Sequence, residues 1–235
     1  MNYLYLLVNF GAFIVPLLFS FHPKLMFYKR WKYAFPAIVI SAIPFIIWDI
    51  YFTKIAVWGF NPKYITGIYF FNLPIEEILF FIVIPYCCLF SYHCFNILVK
   101  KDYLSKYENL ITALFIAFLL SFAYFYHDKL YTVYTFTLLV LFLLFLKFKA
   151  KVKWLSRFYF TYLFLMIPFL IVNGILTGAG IDEQVVWYND NENMMFRILT
   201  IPFEDVFYGI LLILLNIYFL EYFSSKKAET IFKAP

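Results

Sequence analysis

The chain has 235 residues, 65% of them hydrophobic and 14% charged, with a net charge of +5. Soluble domains carry about 45–50% apolar and about 25% charged residues, so a single water-soluble core is excluded and a lipid bilayer is the solvent that accommodates the excess. Nor does the basic balance point to nucleic acid, because the lysines and arginines lie between hydrophobic runs and not in one patch.

In chain order, apolar runs at 3–20, 33–52, 74–98, 110–126, 131–147, 158–177 and 201–222 predict seven membrane-spanning helices. Each approaches the ~20 residues that a ~30 Å hydrocarbon core requires. The fold class expected is therefore all-α integral membrane. The start, Met1-Asn2-Tyr3, has no basic region, so no cleavable signal peptide is expected. Trp48 and Asp49 close the second run. The loop after it holds Trp58, Phe60 and Asn61 and has no acid between Thr53 and Leu73. The third run opens on Pro74 and Glu76-Glu77. It also contains Cys87, Cys88 and Cys94, all within one apolar stretch, which argues against a disulfide framework. The second long loop carries Asp182, Glu183, Asn189, Asp190, Glu192 and Arg197, and the seventh run opens on Pro202 and Glu204-Asp205.

The connecting segments set an orientation. Fifteen of the nineteen basic residues fall in segments 21–32, 100–109, 147–157 and the tail. Lys54, Lys63, Lys129 and Arg197 fall on the other side. Basic residues favour the cytoplasm, so the protein is expected in the cell membrane as a multi-pass protein, N-terminus outside and C-terminus inside. An even number of helices would scramble this asymmetry.

An internal repeat runs through the chain. At a shift of 128, Leu73-Pro74-Ile75-Glu76-Glu77 falls on Ile201-Pro202-Phe203-Glu204-Asp205, and Phe60-Asn61 on Tyr188-Asn189. At a shift of 124, Pro44-Phe45 and Asp49 fall on Pro168-Phe169 and Asn173. Helices 1–3 thus correspond to helices 5–7, with helix 4 between them. Three helices plus one is even, so both repeats enter the membrane the same way. That is a parallel repeat, with its twofold axis along the membrane normal. The expected division is 1–100 for the first repeat, 101–128 for the linking helix, 129–227 for the second repeat and 228–235 for a cytoplasmic tail.

The residues that could carry chemistry follow from the repeat. Glu76, Glu77, Glu204 and Asp205 each follow a proline suited to a helix's first turn. Acids there complement the helix dipole. Two such pairs at equivalent positions, each followed by unbroken apolar sequence, also suggest acid/base chemistry. An ionisable group in the membrane costs roughly 2.5–3.5 kcal/mol at a helix centre. Adjacent carboxylates repel, so one is expected to keep its proton beside an ionised partner. One helical turn on, Phe80 and Tyr208 could face a cation with their rings. Asp49 and Asn173 could hydrogen-bond an acid across the bundle. Arg197 could pair with an acid or anchor at headgroups. The loop acids are read as a solvated segment rather than a magnesium site, and His22, His93 and His127 have no metal-ligand spacing. There is no dinucleotide or phosphate-binding glycine loop, and helix 7 as delimited, 201–222, contains no lysine for a retinal Schiff base.

Trp58-Gly59-Phe60-Asn61, Leu73 to Phe81 and Ile201 to Gly209 resemble the membrane-embedded, non-flavin lycopene cyclase family, in its fused two-repeat form. The resemblance covers nearly the whole chain. It implies that the duplicated acids are catalytic and that Phe80, Tyr208, Trp48, Trp58, Asn61 and Asn189 belong to a carotene site. It also implies β-ring formation by redox-neutral, acid-initiated cyclisation that needs no cofactor and no metal. The partners implied are lycopene or a similar linear carotene, the lipid bilayer and other carotenoid-pathway enzymes. A cyclase with another ring type or substrate, or a small-solute or proton-coupled transporter, would also use duplicated membrane carboxylates.

Overall fold

In the computed structural model, which describes residues 3–232, seven helices carry the chain back and forth. They are α1 (Leu4–Phe19), α2 (Trp31–Lys54), α3 (Ile75–Leu98), α4 (Glu108–Phe125), α5 (Leu130–Leu144), α6 (Leu155–Leu176) and α7 (Phe203–Phe232). Six of these are long and apolar enough to cross a bilayer, counting short helical extensions. With 16 residues, α1 spans roughly 24 Å at 1.5 Å per residue. α5 runs on into a π turn over Phe145–Lys149, where Lys147 reaches Glu108 at 2.5 Å. α7 continues well past residue 222, into the segment expected as a tail. Residues 1–2 and 233–235 lie outside the described residues, as do the side chains beyond Ser225.

The outer faces are apolar. Phe10, Val39, Ile43, Ile47, Leu163 and Ile167 are more than half exposed, which is stable only with lipid against them. The interior holds an aromatic-rich core in which Phe81, Tyr86, Phe136 and Phe158 are almost wholly buried. The linking helix α4 packs on α5 at the periphery and leaves Leu110, Leu114 and Leu120 exposed.

The repeat is visible in the backbone. Helix starts Trp31 and Leu155 differ by 124, and Ile75 and Phe203 differ by 128, matching the two shifts in the sequence. The first helices, starting at Leu4 and Leu130, align at 126. Left-handed residues recur at equivalent places even where the chemistry differs: Met26 with Lys151, Ala56 with Gly180, Gly67 with Met195, and Phe71 with Leu199. Such a conformation is uncommon for residues other than glycine, so its repetition marks the turns as inherited geometry.

Short strands tie the two long loops together. β1 (Trp58–Phe60) pairs antiparallel with β4 (Val186–Tyr188), Trp58 opposite Tyr188 and Gly59 opposite Trp187. Gly59 and Trp187 are themselves equivalent at a shift of 128, so the pseudo-twofold axis passes between them. The two loops therefore lie at one end of the bundle, as a parallel repeat requires. Two small hairpins, β2–β3 (Tyr69–Phe70 with Leu73–Pro74) and β5–β6 (Arg197–Ile198 with Ile201–Pro202), lead into α3 and α7.

Candidate active site

Each acidic pair occupies the first turn of its helix, α3 or α7, separated from the proline by one residue. Neighbouring residues on a helix project about 100° apart, so the members of a pair point to different places. Glu76 and Glu204 turn toward their own loops. Oε1 of Glu76 accepts the Thr66 N–H at 2.6 Å, and Oε1 of Glu204 accepts the Met194 N–H at 2.8 Å and the Thr132 hydroxyl at 2.6 Å. Thr66 and Met194 are repeat equivalents, so the same clamp occurs twice. Both acids are 0% exposed, and neither lines the main cavity.

Glu77 and Asp205 turn inward. Together with Asp49 from α2 they line a cavity of about 660 Å³ beneath the β1–β4 ribbon. Glu77 accepts the phenol of Tyr5. Asp205 accepts two phenols, Tyr131 at 2.6 Å and Tyr188 at 2.9 Å. Asp49 accepts the indole N–H of Trp58 and the Thr53 hydroxyl at 3.3 Å. Its second oxygen, Oδ2, is buried and has no hydrogen-bond partner among the described residues, and Asp49 shares the cavity with Glu77. Two carboxyls in one apolar cavity repel each other when both are ionised, so such a pair is suited to carry a proton. The Tyr188 phenol, in the ribbon, is pushed well above its ordinary range by burial and next by the charge of Asp205, so it stays a neutral donor.

Aromatic rings wall the chamber. Trp58 meets Tyr131 at 5.1 Å between centroids, Tyr131 stacks on Tyr188 at 6.0 Å, and Tyr208 and Phe80 face the space from α7 and α3. The ring faces present negative charge toward any cation formed there. From the acids the cavity runs between α1 and α6, down to Pro16 and Ser91. Between the two helices its lining includes Leu7 and Ile171, which are 53% and 59% exposed on the outer, lipid-facing side and mark its mouth.

The remaining expected site residues divide. Asn173 lines the cavity. Trp48 stands behind Tyr208 with ring centroids 5.0 Å apart and does not line it. Asn61 and Asn189 serve the loops. Asn61 accepts the Lys63 N–H at 3.0 Å and donates to Glu183 at 2.8 Å, and Asn189 accepts the Asn191 N–H at 3.1 Å. Arg197 pairs with Asp190 at 2.6 Å and caps Thr200 O at 3.0 Å. The donors Tyr5, Tyr131 and Tyr188 escaped the sequence reading. A signal existed for two of them, since Leu4-Tyr5 and Leu130-Tyr131 match at a shift of 126.

The site thus brings three carboxyl groups from three helices into one water-poor, aromatic-walled chamber open to lipid. Such a chamber suits proton transfer to and from an apolar ligand. Compared with known proteins, the chain matches the lycopene cyclase family model over residues 2–95 and 128–223. The two stretches coincide with the two repeats and leave α4 unmatched. No curated protein and no solved structure matches it.

Proposed function

The chain belongs to the lycopene cyclase family, and we propose that it closes β-rings on the ends of lycopene by acid-initiated cyclisation, with Asp49, Glu77 and Asp205 doing the chemistry. The observation that carries this reading is the convergence of those three carboxyls in one apolar chamber with a lateral mouth. A carotene dissolved in the bilayer reaches such a mouth without passing through water.

The reaction is redox-neutral. The proton held by the Asp49–Glu77 pair adds to the terminal double bond of the carotene and leaves a tertiary cation. The neighbouring double bond attacks that cation, forming the ring bond and moving the positive charge to a ring carbon. Asp205 then takes the proton from the adjacent ring carbon that bears the polyene chain, which gives the β double bond. One proton enters and one leaves, so the process needs no electron carrier. Asp205 suits the accepting role because Tyr131 and Tyr188 already address it as an acceptor. Tyr208, Phe80 and Trp58 lie where ring faces stabilise the intermediate cations. Excluding water protects those cations from capture. Glu76 and Glu204 have a supporting task, holding Thr66 and Met194 and with them the loops that roof the chamber.

Expression in a lycopene-producing bacterium tests the reading. Red cells are expected to turn yellow-orange, with two-ringed β-carotene as the main new pigment. Cells that stay red while the protein is present and folded in the membrane would sink the proposal. A product whose ring double bond lies away from the chain would overturn the β assignment alone.

A further inference from the structure

The pseudo-twofold axis makes the gap between α1 and α6 equivalent to the gap between α5 and α2. The first is the open mouth of the chamber. The second is also an apolar groove, of about 600 Å³. Its α2 residues Pro44, Ile47 and Tyr51 are the repeat equivalents of Pro168, Ile171 and Ile175, all of which line the open cavity. The scaffold therefore has two portals by descent, and only one of them reaches the carboxyls.

On the α5 side, Tyr134, Leu138 and Phe142 stand where the open portal has the smaller Val8, Ala12 and Pro16, but each set lines its own space; what separates groove from carboxyls is the end wall. In the α2–α5 groove Phe45 and Trp48 end the space, and Tyr208 lies immediately behind them, 5.1 Å and 5.0 Å away between ring centroids. The equivalents in the open portal are Phe169, Val172 and Phe80, and all three line the cavity. Phenylalanine is kept at the first position, and at the third both residues are aromatic rings of similar size. At the second an indole replaces an isopropyl group. The indole N–H of Trp48 is buried and finds no acceptor among the described residues, so ring contacts with Phe45, Phe52 and Tyr208 hold it. A tryptophan placed without a hydrogen-bond partner is acting by its bulk.

We propose that Trp48 is the plug that closes the second portal and makes this duplicated scaffold single-mouthed, so that a linear carotene reaches the carboxyls only from between α1 and α6. This rests on the chamber being a carotene-cyclising site. Trp48 is thus a specificity-determining residue that does not touch the reacting atoms.

The test uses the full-length protein in liposomes with lycopene. A photo-crosslinking side chain is placed at Leu7, on the open mouth, or at Leu138, on the rim of the α2–α5 groove. In the otherwise native protein, lycopene is expected to crosslink at position 7 and not at 138. Trp48→Val is expected to add crosslinking at 138. Val172→Trp, which puts the plug in the open portal, is expected to abolish crosslinking at 7 and ring formation together, while the protein keeps its melting temperature. If Trp48→Val fails to fold, Val172→Trp decides alone. Crosslinking at 138 without the Trp48 change, or unchanged ring formation in folded Val172→Trp, would overturn the portal assignment. Protein that forms no ring from lycopene under any condition would instead remove the cyclase reading, and the portal assignment with it.

Discussion

Gly59 and Trp187 face each other across the antiparallel ribbon that roofs the chamber, and a Cβ on Gly59 would lie 2.3 Å from Cζ2 of the indole. They are repeat equivalents meeting on the pseudo-twofold axis, where one residue must be small for the other to be large. Gly59→Ala is therefore expected to push the indole aside and destabilise the protein by about 1–3 kcal/mol, the usual scale of overpacking. Combining it with Trp187→Ala is expected to recover most of the loss. Thermal unfolding of the two single variants and the double variant in detergent checks this, and additive losses would contradict it.

The two members of each acidic pair are expected to behave differently. Glu77→Gln, Asp205→Asn and Asp49→Asn should each leave folded protein but cut ring formation at least ~100-fold, the scale of a lost acid or base. Glu76→Ala and Glu204→Ala should chiefly cost stability, about 1–3 kcal/mol each, because they strand the half-buried Thr66 N–H and the buried Met194 N–H. Pigment formed per amount of folded protein separates the two classes. Near-normal turnover in all three inward-facing variants would rule out their assigned roles.

The added proton is expected to come from water, because side-chain acids exchange with solvent between turnovers. Unlabelled lycopene converted in heavy water should gain about one mass unit per ring closed, and a two-ringed product about two. Mass spectrometry of the pigment reads this directly. A requirement for a reduced nucleotide, with label taken from it, would replace the acid-initiated route.

Orientation is open to a direct test. The long loops carrying Asn61 and Asn189 share one end of the bundle through the β1–β4 ribbon. Accessibility tags there are expected outside the cell, and a reporter fused after Lys227 in the cytoplasm. Tags at 61 and 189 on the cytoplasmic side would reverse the orientation drawn from the basic residues.

Acid should loosen the loops before the helices. Hydrogen bonds from Asn61 and Lys63 hold the Glu183 carboxyl below its ordinary value of 4.5. Asp190 is also lowered: burial opposes the shift, but hydrogen bonds from Arg197 and Asn193 outweigh it. A depressed carboxyl contributes its full stabilisation above the unfolded value and loses it as pH falls through the folded one. Hydrogen exchange in residues 55–74 and 177–202 should therefore accelerate relative to the helices as pH drops below the ordinary carboxylate range, once corrected for intrinsic rates. The Glu183→Gln, Asp190→Asn double variant should show a smaller change, and an equal change in both proteins would contradict the clamp.

Much of this architecture is legible in one dimension. Apolar runs near 20 residues long mark the helices because hydrocarbon thickness sets their length. The duplicated Pro-x-acid-acid segments mark the repeat because they lie at one spacing, and the even offset of four helices between the repeats puts both at one end. What a linear chain does not contain is the rotation of each helix about its axis. Glu76 and Glu77 are indistinguishable in composition, yet their 100° offset sends one to a loop N–H and the other into the chamber once α3 packs on α1. The same packing brings Asp49, Tyr5 and Glu77 together from three helices, and sets Trp48 behind Tyr208 where its repeat equivalent Val172 faces the cavity. Side-chain direction is settled by which helices touch, and that is a property of the folded bundle alone.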